Sequence, residues 1–121
     1  VPVHGDLYEA QVLCHAGRVT GLLDVDTAGA GRRIDDLANF CAHLSVLALD
    51  SDRSKLVKRY GAAVLAEAER DHDRSELRRR IAAAVLSLST GPFRVLEPGW
   101  SARTRRRLDL AAEWLTDDSA G

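Results

Sequence analysis

The sequence predicts a mainly α fold, in which a short β-hairpin carrying a polar, acidic loop is followed by about four helices. Three observations predict it. Two short strand-like runs, residues 11–14 (Gln-Val-Leu-Cys) and 18–23 (Arg-Val-Thr-Gly-Leu-Leu), flank His15-Ala16-Gly17. From Ile34 onward the apolar residues recur at helical spacing. Helix start and stop signals then divide the second half of the chain. The 121 residues are enough for one domain with one core.

Each element has a local reason. The His15-Ala16-Gly17 segment supplies a tight turn, with glycine where positive φ is needed. Residues 24–33 carry Gly29, Gly31 and two arginines without apolar periodicity, and are expected to form an ordered loop. Between Ile34 and about Asp50, a stripe of Ile34, Leu37, Ala38, Cys41, Leu44 and Ala48 predicts a helix. Phe40, Leu47 and Leu49 fill its other faces, so it should be the most buried helix of the chain. A second helix is expected over residues 54–70, capped by Asp52 or Ser51, with Val57, Tyr60, Val64 and Ala68 inward. Asp73-x-x-Glu76 has the form of a capping box and opens a third, with Leu77, Ile81, Ala84, Val85 and Leu88 as its stripe. Gly91-Pro92 should end it, and residues 92–100 should be loop. Ser101 would cap a last helix, with Leu108, Ala111 and Leu115 aligned and Trp114 beside them.

Composition narrows the classes of function. An apolar fraction of 45% and a mean hydropathy of −0.18 belong to a water-soluble globular chain. No apolar run reaches the roughly 20 residues needed to cross a bilayer, and no secretory leader is visible. Cys14 and Cys41 are expected as reduced core cysteines of a cytoplasmic protein. The net charge of −1 is unevenly spread: residues 1–73 hold 8 basic and 12 acidic side chains, and residues 74–107 hold 9 arginines and 2 acids. Such a block can meet phosphates or nucleic acid. With only six aromatic residues for base stacking, solvated helix faces paired with the acidic segments are the better reading. The chain has no methionine, so Val1 is expected to be an internal point of a longer protein.

The chemistry lies in three acidic motifs. His4-Gly5-Asp6 precedes the first strand, Asp24-Val25-Asp26 follows the second, and Asp35-Asp36-Leu37-Ala38 opens the long helix. A hairpin brings its two ends side by side, so Asp6 and Asp24 are expected to lie close together, with the Gln11 amide near the same point. Phosphoryl transfer needs such a set: a carboxylate to orient the attacking hydroxyl and take its proton, and hard oxygens for magnesium. Alone, each motif is ordinary: a polar turn, a strand end, a helix N-terminus interacting with its dipole. Their joint order and spacing carry the signal. His15, His43 and His72 fit no zinc spacing and are expected as surface or packing residues.

His4-Gly5-Asp6-Leu7-Tyr8-Glu9-Ala10-Gln11-Val12-Leu13 resembles the catalytic loop of the aminoglycoside phosphotransferase and choline kinase family, usually His-Gly-Asp-x-x-x-x-Asn-x-Leu. Gly21-Leu22-Leu23-Asp24-Val25-Asp26 resembles that family's metal-binding segment, and Asp36-Leu37-Ala38 its Asp-Leu-Ala helix start. The likeness is close over residues 2–44 and general beyond. It implies Asp6 as catalytic base, Asp24 as principal magnesium ligand and Gln11 in the second ligand position. His4 would brace the loop, and Asp36 would accept hydrogen bonds from loop backbone amides. Gln11 stands in place of asparagine, as in some sugar-kinase relatives, and Arg32-Arg33 stands where many members have Asp-Pro. Those arginines are read as contacts to phosphate or an acidic substrate, or as partners of Asp26 and Asp35.

The resemblance further implies that residues 1–121 are part of the C-terminal, helical lobe of a kinase-like fold, without the N-terminal nucleotide-binding lobe. The parent would move a phosphoryl group from ATP or GTP, with Mg2+, to a hydroxyl of a small molecule; the fragment alone is expected to be inactive. Neither a membrane nor nucleic acid is an expected partner, whereas a homodimer through surface exposed by truncation is an open one. The alternative is a non-catalytic helical binding module descended from a kinase.

Overall fold

The computed structural model describes residues 1–116; the tail acids Asp117 and Asp118 lie outside the described residues. Two small antiparallel sheets occupy the N-terminal third: β1 (Pro2–Val3) with β4 (Gly29–Ala30), and the hairpin of β2 (Val12–His15) with β3 (Arg18–Leu22). Helices α1 (Arg33–Asp50), α2 (Ser54–Glu69), α3 (Arg74–Leu88), the single turn α4 (Gly91–Arg94) and α5 (Trp100–Thr116) complete the order. None of these helices is long and apolar enough to cross a membrane.

The hairpin turns at Ala16 and Gly17, both with positive φ (50° and 75°), the backbone of a two-residue turn that follows strand twist. A bulge on β3 shifts the register, pairing Leu13 with Gly21 but Cys14 with Val19. The β1–β4 pair corrects the expectation of loop throughout residues 24–33. Two-residue strands show no periodicity to read; Pro2↔Ala30 and Val3↔Gly29 pair because the chain returns there.

Helix α1 is the central element, packed against both α2 and α3, and α3 packs against α5. Ile34, Ala38, Cys41, Ala42 and Val46 from α1 meet Ala68, Leu77, Ile81, Val85 and Ala111 in one core. Eight α1 residues are buried, the most of any helix described, as its all-round apolar sequence predicts. One arm of the predicted capping box is present at α3, the Glu76 N–H donating to Asp73 Oδ2 at 2.8 Å, while the Glu76 carboxylate turns to Arg32 and Arg80.

Several expectations are corrected. Tyr60 is 52% exposed, touching Phe40 edge-on while α2 packs through Val64, Leu65 and Ala68. No side chain caps the first turn of α2; Ser51 Oγ instead accepts the Arg53 N–H. Helix α3 ends at Leu88, before Gly91-Pro92, and that pair opens α4 with Pro92 in its first turn. Helix α5 starts at Trp100, so Ser101 lies inside it. Its inner face is Leu110, Ala111 and Trp114, while Leu108 and Leu115 face outward. Cys14 is exposed on the hairpin; only Cys41 is a core cysteine.

Two arginines of the arginine-rich segment are committed to helix ends. Arg106 donates to Leu49 O at 2.6 Å and Arg107 to Leu88 O at 2.7 Å, with Asp50 at 3.6 Å from each guanidinium. These cations satisfy terminal carbonyls at the negative ends of α1 and α3. Arg78 is buried, stacked over the Trp114 ring at 5.3 Å and 3.3 Å from Glu69. Arg32 pairs with Glu76 at 3.0 Å and Asp35 with Arg80, so the alternative in which Arg32 serves Asp26 or Asp35 is not the one seen.

Candidate active site

The loop of residues 4–11 is fixed from three directions. The first is its own backbone turn. Gly5 has φ +91°, and a Cβ there would lie 2.6 Å from Thr27 O, so only glycine lets the loop pass the turn Val25–Thr27. Thr27 Oγ1 donates to His4 O at 2.8 Å across that approach.

The second is the His4 ring, which is buried. Its Nε2 lies 2.8 Å from Leu23 O, and its Nδ1 lies 3.2 Å from the Asp6 backbone nitrogen. A carbonyl can only accept and an amide N–H can only donate. The neutral ring with its proton on Nε2 satisfies both, donating to Leu23 and accepting from Asp6. His4 therefore ties the Asp6 segment to the residue preceding Asp24.

The third is helix α1, whose successive turns each hold part of the loop. Asp36 accepts the N–H groups of His4 (2.6 Å) and Gly5 (2.9 Å), one on each carboxylate oxygen. One turn on, Asn39 Nδ2 donates to Leu7 O at 2.9 Å and lies 3.4 Å from Asp6 Oδ1. A further turn on, His43 stacks on Tyr8 with centroids 4.3 Å apart and planes 16° from parallel. Burial holds the His43 imidazole below its ordinary range, against the upward pull of the Glu9 and Asp6 carboxylates. Asp36, Asn39 and His43 share one helix face by their spacing of three and four.

Gln11 ends the loop in the turn Glu9–Gln11 and is buried. Its backbone carbonyl accepts the Leu23 N–H at 2.8 Å, and its side-chain Nε2 donates to Asp24 Oδ2 at 3.3 Å. Asp24 itself is in the left-handed region (φ 51°, ψ 58°), a conformation aspartate tolerates better than most residues. Among the described residues no group of three or more His, Cys, Asp or Glu is arranged to hold a metal. Asp24 and Gln11 instead offer a carboxylate and an amide side by side. In this arrangement Gln11 turns its N–H, not its oxygen, toward Asp24, so a magnesium ion, which takes hard oxygens, would require that amide to turn over.

The structure thus gathers His4, Asp6 and Asp36 by direct bonds around one loop, and joins Gln11 to Asp24. Sequence reasoning missed Thr27, Asn39 and the Tyr8–His43 stack. For Asn39 a signal existed: it stands three residues beyond Asp36, on the same face of a helix already assigned. Behind the loop, Val3, Leu7, Val12, Leu22, Phe40 and Tyr60 help line an apolar cavity of about 550 Å3.

A histidine-braced acidic loop is thus docked on a helix whose first turn carries an aspartate. The model of the phosphotransferase enzyme family matches residues 1–78, and the chain belongs to that family. No curated protein and no solved structure gives a significant match.

Proposed function

We propose that this chain supplies the catalytic loop and metal-binding segment of an ATP- or GTP-dependent phosphotransferase acting on a hydroxyl of a small molecule. The observation that carries the reading is the Asp6 loop, held at its backbone by His4 and Asp36 and at its side by Asn39. A carboxylate presented by such a rigid loop orients an acceptor hydroxyl and takes its proton. Gln11 and Asp24 would hold Mg2+, which when bound neutralises phosphate charge during transfer. In this reading the residues belong to the C-terminal lobe of a kinase-like fold, and the nucleotide-binding lobe lies upstream.

The test uses the protein extended N-terminally through its nucleotide lobe, with kanamycin, choline and maltose as acceptors. Asp6→Asn should lower turnover about 10²- to 10⁴-fold, the usual contribution of a general base, with ATP affinity little changed. Asp24→Asn should raise the Mg2+ concentration required for half-maximal rate. Turnover that survives Asp6→Asn refutes the base assignment. Equal Mg-ATP affinity with and without the upstream lobe refutes the two-lobe reading.

A further inference from the structure

We propose that Asn39 is a positioning residue for the Asp6 carboxylate, a role that rests on the reading of Asp6 as the base. Asn39 Nδ2 has two hydrogens and two acceptors in reach, Leu7 O at 2.9 Å and Asp6 Oδ1 at 3.4 Å. The reversed amide would place its oxygen against two acceptors, so the donor orientation is the only satisfied one. The shorter bond anchors the amide to the loop backbone. The longer one aims the second hydrogen at the carboxylate, a distance of the kind that tightens when substrate is bound.

The consequence is a division of labour between the two carboxylate oxygens. Oδ1 is turned toward α1 and engaged by Asn39, which leaves Oδ2 to receive the acceptor's proton. Asp36 and His4 fix the backbone of the loop, but neither reaches the Asp6 side chain. Asn39 sets its rotation. Asn39 stands on the most buried helix described, one turn from the aspartate that holds the loop, so the orientation of the base is referenced to α1.

The experiment is a double-mutant cycle in the protein carrying its nucleotide lobe. Turnover is read on the best of kanamycin, choline and maltose, or as ATP hydrolysis where none accepts. Asn39→Leu should lower kcat about 10- to 100-fold, the scale of a misplaced reacting group, with KM for ATP within about twofold. Asn39→Ala, which removes the donor without adding a charge beside Asp6, should do the same and covers a folding failure of the leucine variant. In an Asp6→Asn background either substitution should cost less than about twofold, because the group it orients is gone. Equal losses in both backgrounds would assign Asn39 to loop folding and overturn the proposal, as would an unchanged kcat with Asp6 intact. If Asp6→Asn alone leaves turnover intact, the base reading falls first, and the proposal with it. An independent readout needs no activity: in the NMR spectrum of this chain, Asp6→Asn should shift one Asn39 side-chain amide proton and leave the other, held by Leu7 O, in place. Two unmoved signals overturn the proposal.

Discussion

Gly5 and His43 show how single residues set the loop. Alanine at position 5 would have to adopt φ near +91° with its Cβ pressed on the Thr27 carbonyl, a rigid backbone atom at 2.6 Å. Gly5→Ala should therefore destabilise the fold by about 1–3 kcal/mol, read as a lowered urea midpoint. His43 carries a pH dependence whose sign follows from its environment. Its folded-state affinity for a proton is below the ordinary 6.5 because burial disfavours the charged ring. The unfolded chain then binds the proton more readily, so the stability contributed by neutral His43 is complete above pH 6.5. It is lost as pH falls from there through the folded value. His43→Phe keeps a ring against Tyr8 and removes the titration. The stability of this variant should fall less than that of the parent between about pH 7 and pH 5.

At the scale of elements, α1 is both the core of the helical packing and the ruler on which the loop is measured. Asp36 on its first turn accepts two backbone N–H groups that would otherwise lose their partners. Asp36→Ala should cost about 1–3 kcal/mol in chemical denaturation, as expected for charge-assisted bonds to donors only partly shielded from water. Asp36→Asn, which keeps one acceptor oxygen, should cost less. The sequence made α1 legible because its apolar residues persist over five turns, and α3 because Asp73 and Glu76 bracket its start. It made α5 only half legible. Leu108 and Leu115 share a helical stripe with Ala111, yet the contact with α3 is made by Leu110, Ala111 and Trp114, since Arg107 turns inward to the end of α3. Periodicity marks a helix, but which of two adjacent stripes is buried depends on the partner it meets.

Across the whole molecule, long-range closure decides what local pattern could not. The β1–β4 pair, the His4–Leu23 bond and the Thr27–His4 bond each join residues about 20 to 30 positions apart. Motif spacing pointed to His4, Asp6, Gln11, Asp24 and Asp36, and the structure bonds Asp36 to the His4 backbone and Gln11 to Asp24. Thr27 and Asn39 escaped notice because a hydroxyl and an amide inside a loop and a helix have many ordinary uses. The arginine-rich half illustrates the same limit. Its charge reads as helix faces paired with acidic segments, and Arg78–Glu69 and Arg106–Asp50 are such pairs, yet no spacing announces that Arg78, Arg106 and Arg107 also reach Trp114, Leu49 and Leu88.

The two thiols occupy opposite extremes, and that contrast makes the chain its own reporter. Cys14 stands open on the hairpin, while Cys41 is sealed in the core with its thiol pushed up to about 11, by burial first and then by Glu69. Maleimide at neutral pH should alkylate Cys14 at the rate of an exposed thiol. Cys41 should react only through opening of the core, slower by about a thousandfold or more. A mass spectrometer counting one adduct and then two would thus clock the unlatching of α1 without any label being engineered in.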